Sequence, residues 1–360
     1  MAKVTVVMPV YNGAKFLSEA IESVINQTFI DWEMLVINEF GSNDGSAEIV
    51  KKFAVKDGRI KLIQNKSRAG LAESLNKGIR MARGEYIARL DADDISLPAR
   101  FQMQVDYMDN NPDVGVCGTW QEHFGDETWI HAPPVDDELC KAYLLFWCHM
   151  CHSTVMLRRN QFLNNDFFYN PDSLVEDFEL WNRISSLVKF ANIPVVLGRY
   201  RRHITQRVNE TKRTNLEEAF GKIITRGLYS NLGYKLPAEK HIFLNVWANI
   251  YASGRLRGRN GVLLVQLESI LRSIYDANEK VSFCKNEALL IAMNSMWRWA
   301  KFGFGWHEAN SIGGLEDIFI QNPKWAFFKK LRLFFRQNPS LKGRFRKVKD
   351  KLSYTLRSMK

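Results

Sequence analysis

Ala82-Arg-Gly-Glu-Tyr-Ile-Ala-Arg-Leu-Asp-Ala-Asp-Asp94 places a strand-like stretch, residues 86–90, directly before three carboxylates, Asp91, Asp93 and Asp94. Upstream, residues 4–10 form an apolar run, and 32–37 and 60–63 read as a second and a short third strand. Such runs suit strands buried on both faces. Between them lie helical spacings: Leu17, Ala20, Ile21, Val24 and Ile25 after a turn at Asn12 and Gly13, then residues 46–54, then Leu71, Leu75, Ile79 and Ala82. Pro98 suits the first turn of a further helix bearing Phe101, Val105 and Met108. Strand and helix in alternation predict a parallel sheet covered on both faces. Ligands of such sheets bind at the carboxyl ends of strands, where Asp91, Asp93 and Asp94 stand.

Carboxylates at i and i+2 past a strand can hold a hard divalent cation, Mg2+ or Mn2+, together with sugar or ribose hydroxyls. A lone Asp-x-Asp is equally a solvated acidic turn, so its surroundings decide. In Glu176-Asp177-Phe-Glu-Leu-Trp181, Leu180, Trp181 and Ile184 follow Asp177 at helical spacing. The apolar face can anchor a helix with Asp177 at its beginning. By itself that aspartate can also be an acid that complements the helix dipole.

The chain has 360 residues and a net charge of +11. Residues 324–360 contain 13 Lys/Arg and one acid, Asp350, so the rest of the chain is near neutral. A nucleic-acid-binding face would spread its basic charge over the fold, so no nucleic-acid partner is expected. Composition is that of a globular protein, and length favours two domains. The first ten residues do not read as a secretory signal. Apolar stretches such as 288–297 are too short to cross a bilayer. Five cysteines without an export signal predict reduced thiols and a cytosolic setting. Past about residue 209 the pattern is helical, with a stripe at Leu216, Ala219, Phe220, Ile223 and Ile224 and further segments near 238–253, 261–276 and 285–300.

Several segments occur in order: Val6-Val-Met-Pro-Val-Tyr-Asn-Gly13, Ile25-Asn-Gln-Thr28, Gly41-Ser-Asn-Asp-Gly-Ser46, Gly70-Leu-Ala-Glu-Ser-Leu-Asn76 and the stretch ending at Asp94. Together they resemble the N-terminal half of the family 2 glycosyltransferases of the bacterial surface-polysaccharide type, over roughly residues 3–205. The resemblance implies an α/β fold of the GT-A type, a mostly parallel sheet with helices on both faces, as a catalytic domain at 1–208. The helical spacing beyond it and the basic run at the end add an α-helical C-terminal region, a helical domain at 209–322, and a basic tail at 323–360.

It also implies a metal-dependent, inverting transfer of a sugar from a nucleotide-diphosphate sugar, UDP-linked, with Mn2+ or Mg2+ as cofactor. Pro9, Val10 and Tyr11 would cradle the nucleobase. Glu39 maps onto the base-binding carboxylate, with Glu for the usual Asp and one extra residue. Arg68 would meet the diphosphate, Asp91 the ribose or donor sugar, and Asp93 the metal. Asp177 would be the general base beside Glu176, and His152 would lie on the acceptor side. His203, in Tyr200-Arg-Arg-His203, would reach the metal or the diphosphate.

Two alternatives remain at this stage. A sugar nucleotidyltransferase shares the layout, but expects a glycine-rich, basic phosphate loop after the first strand, which Pro9-Val-Tyr-Asn-Gly13 lacks. A membrane-surface binding protein with a degenerate catalytic domain is the other. Cys148-His-Met-Cys151-His152 spells the haem-attachment pattern, yet it lies in an apolar stretch and reads as buried thiols. In the tail, Leu341, Phe345, Val348, Leu352, Leu356 and Met359 fall within about 80° of each other on a helix whose other faces are Lys and Arg. Phe327, Phe328, Leu331, Phe334 and Phe335 form a similar stripe. Basic amphipathic helices of this kind bind anionic membrane surfaces, though docking on the protein itself is also open. The expected partners are therefore a nucleotide-sugar donor, a saccharide or lipid-linked acceptor, and an anionic membrane through 324–360. The expected location is cytoplasmic, at the inner face of the cell membrane.

Overall fold

The structure, a computed structural model, describes residues 2–126, 128–203, 213–236 and 261–302. The helical segment expected near 238–253 and the basic tail lie outside the described residues. In chain order the first half runs β1 (Val4–Val10), α1 (Ala14–Ile25), β2 (Trp32–Asn38), α2 (Ser46–Lys56), β3 (Ile60–Gln64), α3 (Gly70–Met81), β4 (Tyr86–Arg89), β5 (Ile95–Ser96) and α4 (Arg100–Asn110). It continues with β6 (Val114–Gly125), β7 (Trp129–His131), α5 (Asp137–Leu144), a 3-10 turn (His152–Thr154), β8 (Met156–Arg158), α6 (Arg159–Asn164), α7 (Glu176–Ile184) and β9 (Lys189–Arg202). Three long helices follow, α8 (Arg213–Leu232), α9 (Gly261–Val281) and α10 (Asn286–Phe302).

The strands make one sheet in the order β3-β2-β1-β4-β8-β6-β9-β5, with β7 added to β6. β3, β2, β1 and β4 are parallel, as the alternating pattern predicts. β8 runs antiparallel between β4 and β6, β9 returns parallel to β6, and the short β5 closes the edge antiparallel to β9.

The central strands β1, β2 and β4 are buried along their whole length because both faces of the sheet are covered. Val6 and Met8 face a cluster with Leu17, Ile21 and Val24 of α1 and Phe101, Val105 and Met108 of α4. Val7, of opposite direction in the pleat, faces a second cluster with Leu75 and Ile79 of α3 and Trp181 of α7. Phe220 and Ile224 of α8 and Leu289 and Met293 of α10 belong to that same cluster, so the C-terminal helices share a core with one face of the sheet. A side chain at position 78 would put its Cβ 2.3 Å from Val7 Cγ1, and this is why glycine stands there and α3 lies close on β1.

The β1–β2 register sets Val10 beside Asn38 and the β1–β4 register sets Val7 beside Arg89. The loops after β1, β2 and β4 therefore leave the sheet side by side.

Candidate active site

The loop after β1 is built on the loop after β2. Asn12 takes a left-handed conformation (φ 49°), open to Asn at little cost. Its Oδ1 accepts the Asn43 N–H at 3.0 Å. Ser42 Oγ accepts the Asn12 N–H at 3.1 Å, Ser46 Oγ that of Gly13 at 3.1 Å, and Asp44 Oδ2 that of Ala14 at 2.7 Å. These bonds satisfy N–H groups at the start of α1, which no side chain of its own caps. Pro9 and Val10 are buried in β1, whereas Tyr11 is 52% exposed on this frame.

Glu39 lies 7% exposed at the end of β2. Its Oε1 accepts the N–H groups of Phe40 (2.7 Å) and Ala69 (3.0 Å), and its Oε2 accepts the Gly70 N–H (2.7 Å) and the Ser74 hydroxyl (3.4 Å). Glu39 thus caps α3 from a distance, and all its lone-pair directions have donors. A base contact from this carboxylate must compete with that cap. Arg68 stands exposed in the loop that Glu39 holds.

The acidic loop after β4 is fastened from two sides. Arg89, its side chain only 4% exposed, is ion-paired with Asp91. The Asp91 N–H donates to Ser153 Oγ at 3.0 Å. From β9, the Arg201 N–H donates to Asp94 Oδ1 at 2.9 Å and Arg201 Nε to the Asp93 carbonyl at 2.9 Å. His203 Nε2 lies 2.9 Å from Asp93 Oδ2. The structure therefore brings His203 to Asp93 across 110 residues of chain.

The cluster suits a divalent cation. One carboxylate oxygen each from Asp91, Asp93 and Asp94 lie within 4.8 Å of one another. Asp94 is 1% exposed, and its Oδ2 is buried without a hydrogen-bond partner. Burial, then the charges of Asp91 and Asp93, holds the Asp94 carboxyl well above the usual carboxylate range. Asp91 is raised as well, by burial first, with Arg89 opposing and Asp93 adding to the rise. An oxygen-ligated cation would satisfy the orphan oxygen and remove the mutual repulsion, and this donor set is that of Mg2+ or Mn2+.

Asp177 sits in the first turn of α7, a helix anchored by the fully buried Phe178, Leu180, Trp181 and Ile184. Its Oδ1 accepts the Phe178 N–H at 2.7 Å, and its Oδ2 accepts the Cys148 thiol at 3.5 Å. Burial raises its pKa, while the Phe178 N–H and the Arg89 charge lower it. Asp91 and Asp177 feel each other's charge, so the two carboxylate sites share one electrostatic neighbourhood. Glu176 precedes Asp177 and is buried. His152 Nε2 lies 2.9 Å from the Tyr169 hydroxyl, edge-on to Trp181, in the aromatic packing beneath α7.

Arg89, Arg201 and Cys148 were not singled out as site residues from the sequence. For Arg89 a signal existed, since a cation inside an otherwise apolar strand needs an anionic partner. Cys148 and Cys151, grouped in the sequence as buried thiols, are half-buried and buried respectively.

Comparison with known proteins fits this geometry. The model of the glycosyl transferase family 2 matches residues 5–167. An uncharacterized glycosyltransferase of Haemophilus influenzae is 32% identical over 217 residues, 56% of this chain and 66% of that relative, just under two thirds of its length. The Escherichia coli UDP-Glc:alpha-D-GlcNAc-diphosphoundecaprenol beta-1,3-glucosyltransferase WfgD is 32% identical over 193 residues, 54% of this chain and 72% of that enzyme. Residues 1–349 of S. aureus TarS, solved in complex with UDP-GlcNAc, superpose with a TM-score of 0.56 at 16% identity, covering 84% of this chain and 88% of that one, and share the GT-A fold. On its sequence matches and its fold, the chain belongs to the glycosyl transferase family 2.

Proposed function

We propose that the protein transfers a sugar from a UDP-linked nucleotide-diphosphate sugar to a hydroxyl of a saccharide or lipid-linked saccharide, with inversion and with Mn2+ or Mg2+, in the synthesis of a surface polysaccharide or lipopolysaccharide. The observation that carries this reading is the juxtaposition of the Asp91–Asp93–Asp94 cluster, at the end of β4, with Asp177 at the head of α7. Pro9, Val10 and Tyr11 receive the nucleobase at the end of β1, with the exposed Tyr11 ring free to stack. Glu39 acts on the donor chiefly by holding the loop that carries Arg68, and Arg68 meets the diphosphate. Asp91 meets the ribose or donor sugar. Asp93, with Asp94 and His203, would hold the cation. Bound there, it supplies Lewis-acid stabilisation of the departing diphosphate.

Asp177 takes the proton of the acceptor hydroxyl as that oxygen attacks the anomeric carbon and the bond to the diphosphate oxygen breaks. One displacement leaves the anomeric configuration inverted. Burial raises the Asp177 pKa, which makes the carboxylate a better base, while the Phe178 N–H and then the Arg89 charge oppose the rise. Glu176 and His152 border the acceptor side. The relationship to WfgD, whose name specifies a diphosphoundecaprenol-linked acceptor, supports UDP and a lipid-linked acceptor. An acceptor of that kind fits a cytoplasmic enzyme held at the inner membrane face by its basic tail, in a chain divided into 1–208, 209–322 and 323–360. Among the described residues no helix is long and apolar enough to cross a membrane.

Asp177→Asn tests the assignment. Transfer should fall by about 10²–10⁴-fold. The rise in melting temperature produced by UDP-sugar with Mn2+ should be nearly unchanged, because the donor does not rest on Asp177. Unchanged turnover in this variant sinks the assignment.

A further inference from the structure

We propose that Cys148 is a positioning residue for the reaction: its thiol donates a hydrogen bond to Asp177 Oδ2 and, opposite the Phe178 N–H on Oδ1, fixes the plane in which the carboxylate meets the acceptor hydroxyl. The proposal rests on the reading of Asp177 as the general base. A carboxylate at the end of a side chain rotates freely unless both oxygens are held. Here one oxygen has the Phe178 N–H at 2.7 Å and the other has Cys148 Sγ at 3.5 Å. A thiol is a weak donor. It orients the base without removing its proton affinity, as a pairing cation would.

The thiol is itself firmly placed. His149 is fully buried, its Nε2 lies 3.0 Å from the Cys140 carbonyl, and its own carbonyl lies 3.0 Å from His131 Nε2. Burial pushes the His149 imidazole down to about 3, so it stays neutral and does not compete for the Asp177 charge. The Cys151 carbonyl accepts the Thr154 N–H at 2.8 Å, and His152 reaches Tyr169 at 2.9 Å. The Cys-x-x-Cys-His spelling thus has a structural meaning that needs no haem: the segment buttresses the head of α7. Cys148 is also half-buried, while the other four cysteines are buried.

Among the described residues, the charged and titratable groups facing Asp177 are Arg89 from β4, Asp91 after it, Tyr169 from the loop before α7, Glu176 on α7 itself, and Cys148. A donor to the ionised carboxylate favours the charged form, so the bond lowers the Asp177 pKa. By the same contact, and with burial as the larger cause, the carboxylate holds the Cys148 thiol well above its ordinary value.

The test uses the full chain and two readouts that a merely structural thiol would not move. Iodoacetamide labelling of Cys148, followed by peptide mass spectrometry at fixed pH, should be several-fold faster in Asp177→Asn than in the parent, because the thiol loses its anionic neighbour. An equal rate in both proteins overturns the contact. In Cys148→Ala, the acid limb of the pH profile for UDP release from UDP-glucose with Mn2+ should move up by about half a pH unit, as expected for one lost hydrogen bond to a carboxylate. kcat should fall several-fold with KM for the donor unchanged. An unmoved limb, or a loss confined to KM, overturns the positioning role. If Asp177→Asn keeps its turnover, the base assignment fails on its own, and the labelling comparison still decides the thiol contact.

Discussion

The carboxylates after β4 and the carboxylate at the head of α7 are held by opposite means. Asp91, Asp93 and Asp94 crowd together, and their restraints come from far along the chain: Ser153, Arg201 and His203, with the Arg89 guanidinium from within β4. Asp177 shares the first turn of α7 with Glu176 and Glu179, and is held by its own neighbouring N–H and one thiol. Burial first, and then the neighbouring carboxylates, raise the pKa of Asp91 and of Asp94, and such a cluster calls for a cation. A base needs the reverse, a site that orients it with donors weak enough to keep it a proton acceptor. Under the proposed function, the contrast separates a cation-holding end of the site from a proton-accepting end, and Arg89 acts on both.

Arg89 is therefore the residue whose loss should break the distinction most completely. Arg89→Met leaves Asp91 without its partner and removes the positive charge that acts on Asp177. Removing one member of a buried ion pair costs about 3–5 kcal/mol. Denaturant unfolding should show a loss of that order, with turnover down by at least about 100-fold even where the protein remains folded. A variant that loses donor binding but keeps the acid limb of its pH profile would show that the two ends are independent.

Glu39→Gln sharpens the comparison from the donor end alone. Glutamine keeps the shape, but its amide end cannot accept, so N–H groups at the start of α3 lose a partner. The expected cost is about 1–2 kcal/mol in unfolding free energy, with weaker donor affinity and little change in kcat. A full loss of kcat at saturating donor would contradict this division of labour. Removing 324–360 should touch neither end. Sedimentation with anionic vesicles should then fall to background while kcat on a soluble acceptor stays within about twofold, and vesicle binding by the parent should weaken as salt rises. Vesicle binding that survives the truncation refutes the tail as the anchor.

The same contrast governs what could be read from the sequence. The parallel half of the sheet is legible because its central strands β1, β2 and β4 are buried on both faces and are rich in apolar residues. Its helices show their spacing, and Asp91, Asp93 and Asp94 announce themselves at a strand end. β6, β8 and β9 do not stand out. β9 contains Pro194 and Gly198, and β6 contains Gly115 and Gly118, residues that depress strand propensity. The structure supplies a reason for Gly198: a Cβ there would lie 2.5 Å from Thr154 Cγ2 of the turn packed on it. The partners of the site were hidden for a related cause. The family resemblance alone sets His203 near the metal beside Asp93; that Cys148 meets Asp177 follows from how the strands are threaded, which local periodicity does not encode. Glu39 was legible as a carboxylate at a strand end, but its service to α3 required knowing that residues 69 and 70 return beside β2.

The closing of the sheet by β9 also has a consequence for the order in which the molecule is made. β5 pairs with Gly198 and Arg199, and the acidic loop is fastened by Arg201 and His203. During synthesis the strands β1 to β4 can assemble early, since each awaits only nearby chain. The loop bearing Asp91, Asp93 and Asp94 has no fastening from β9 until more than 100 further residues have emerged. Contacts of such separation are slow to form. The nascent chain should therefore pass through a state in which β1 to β4 are paired and the acidic loop is still unsealed, so that synthesis completes the acidic cluster last.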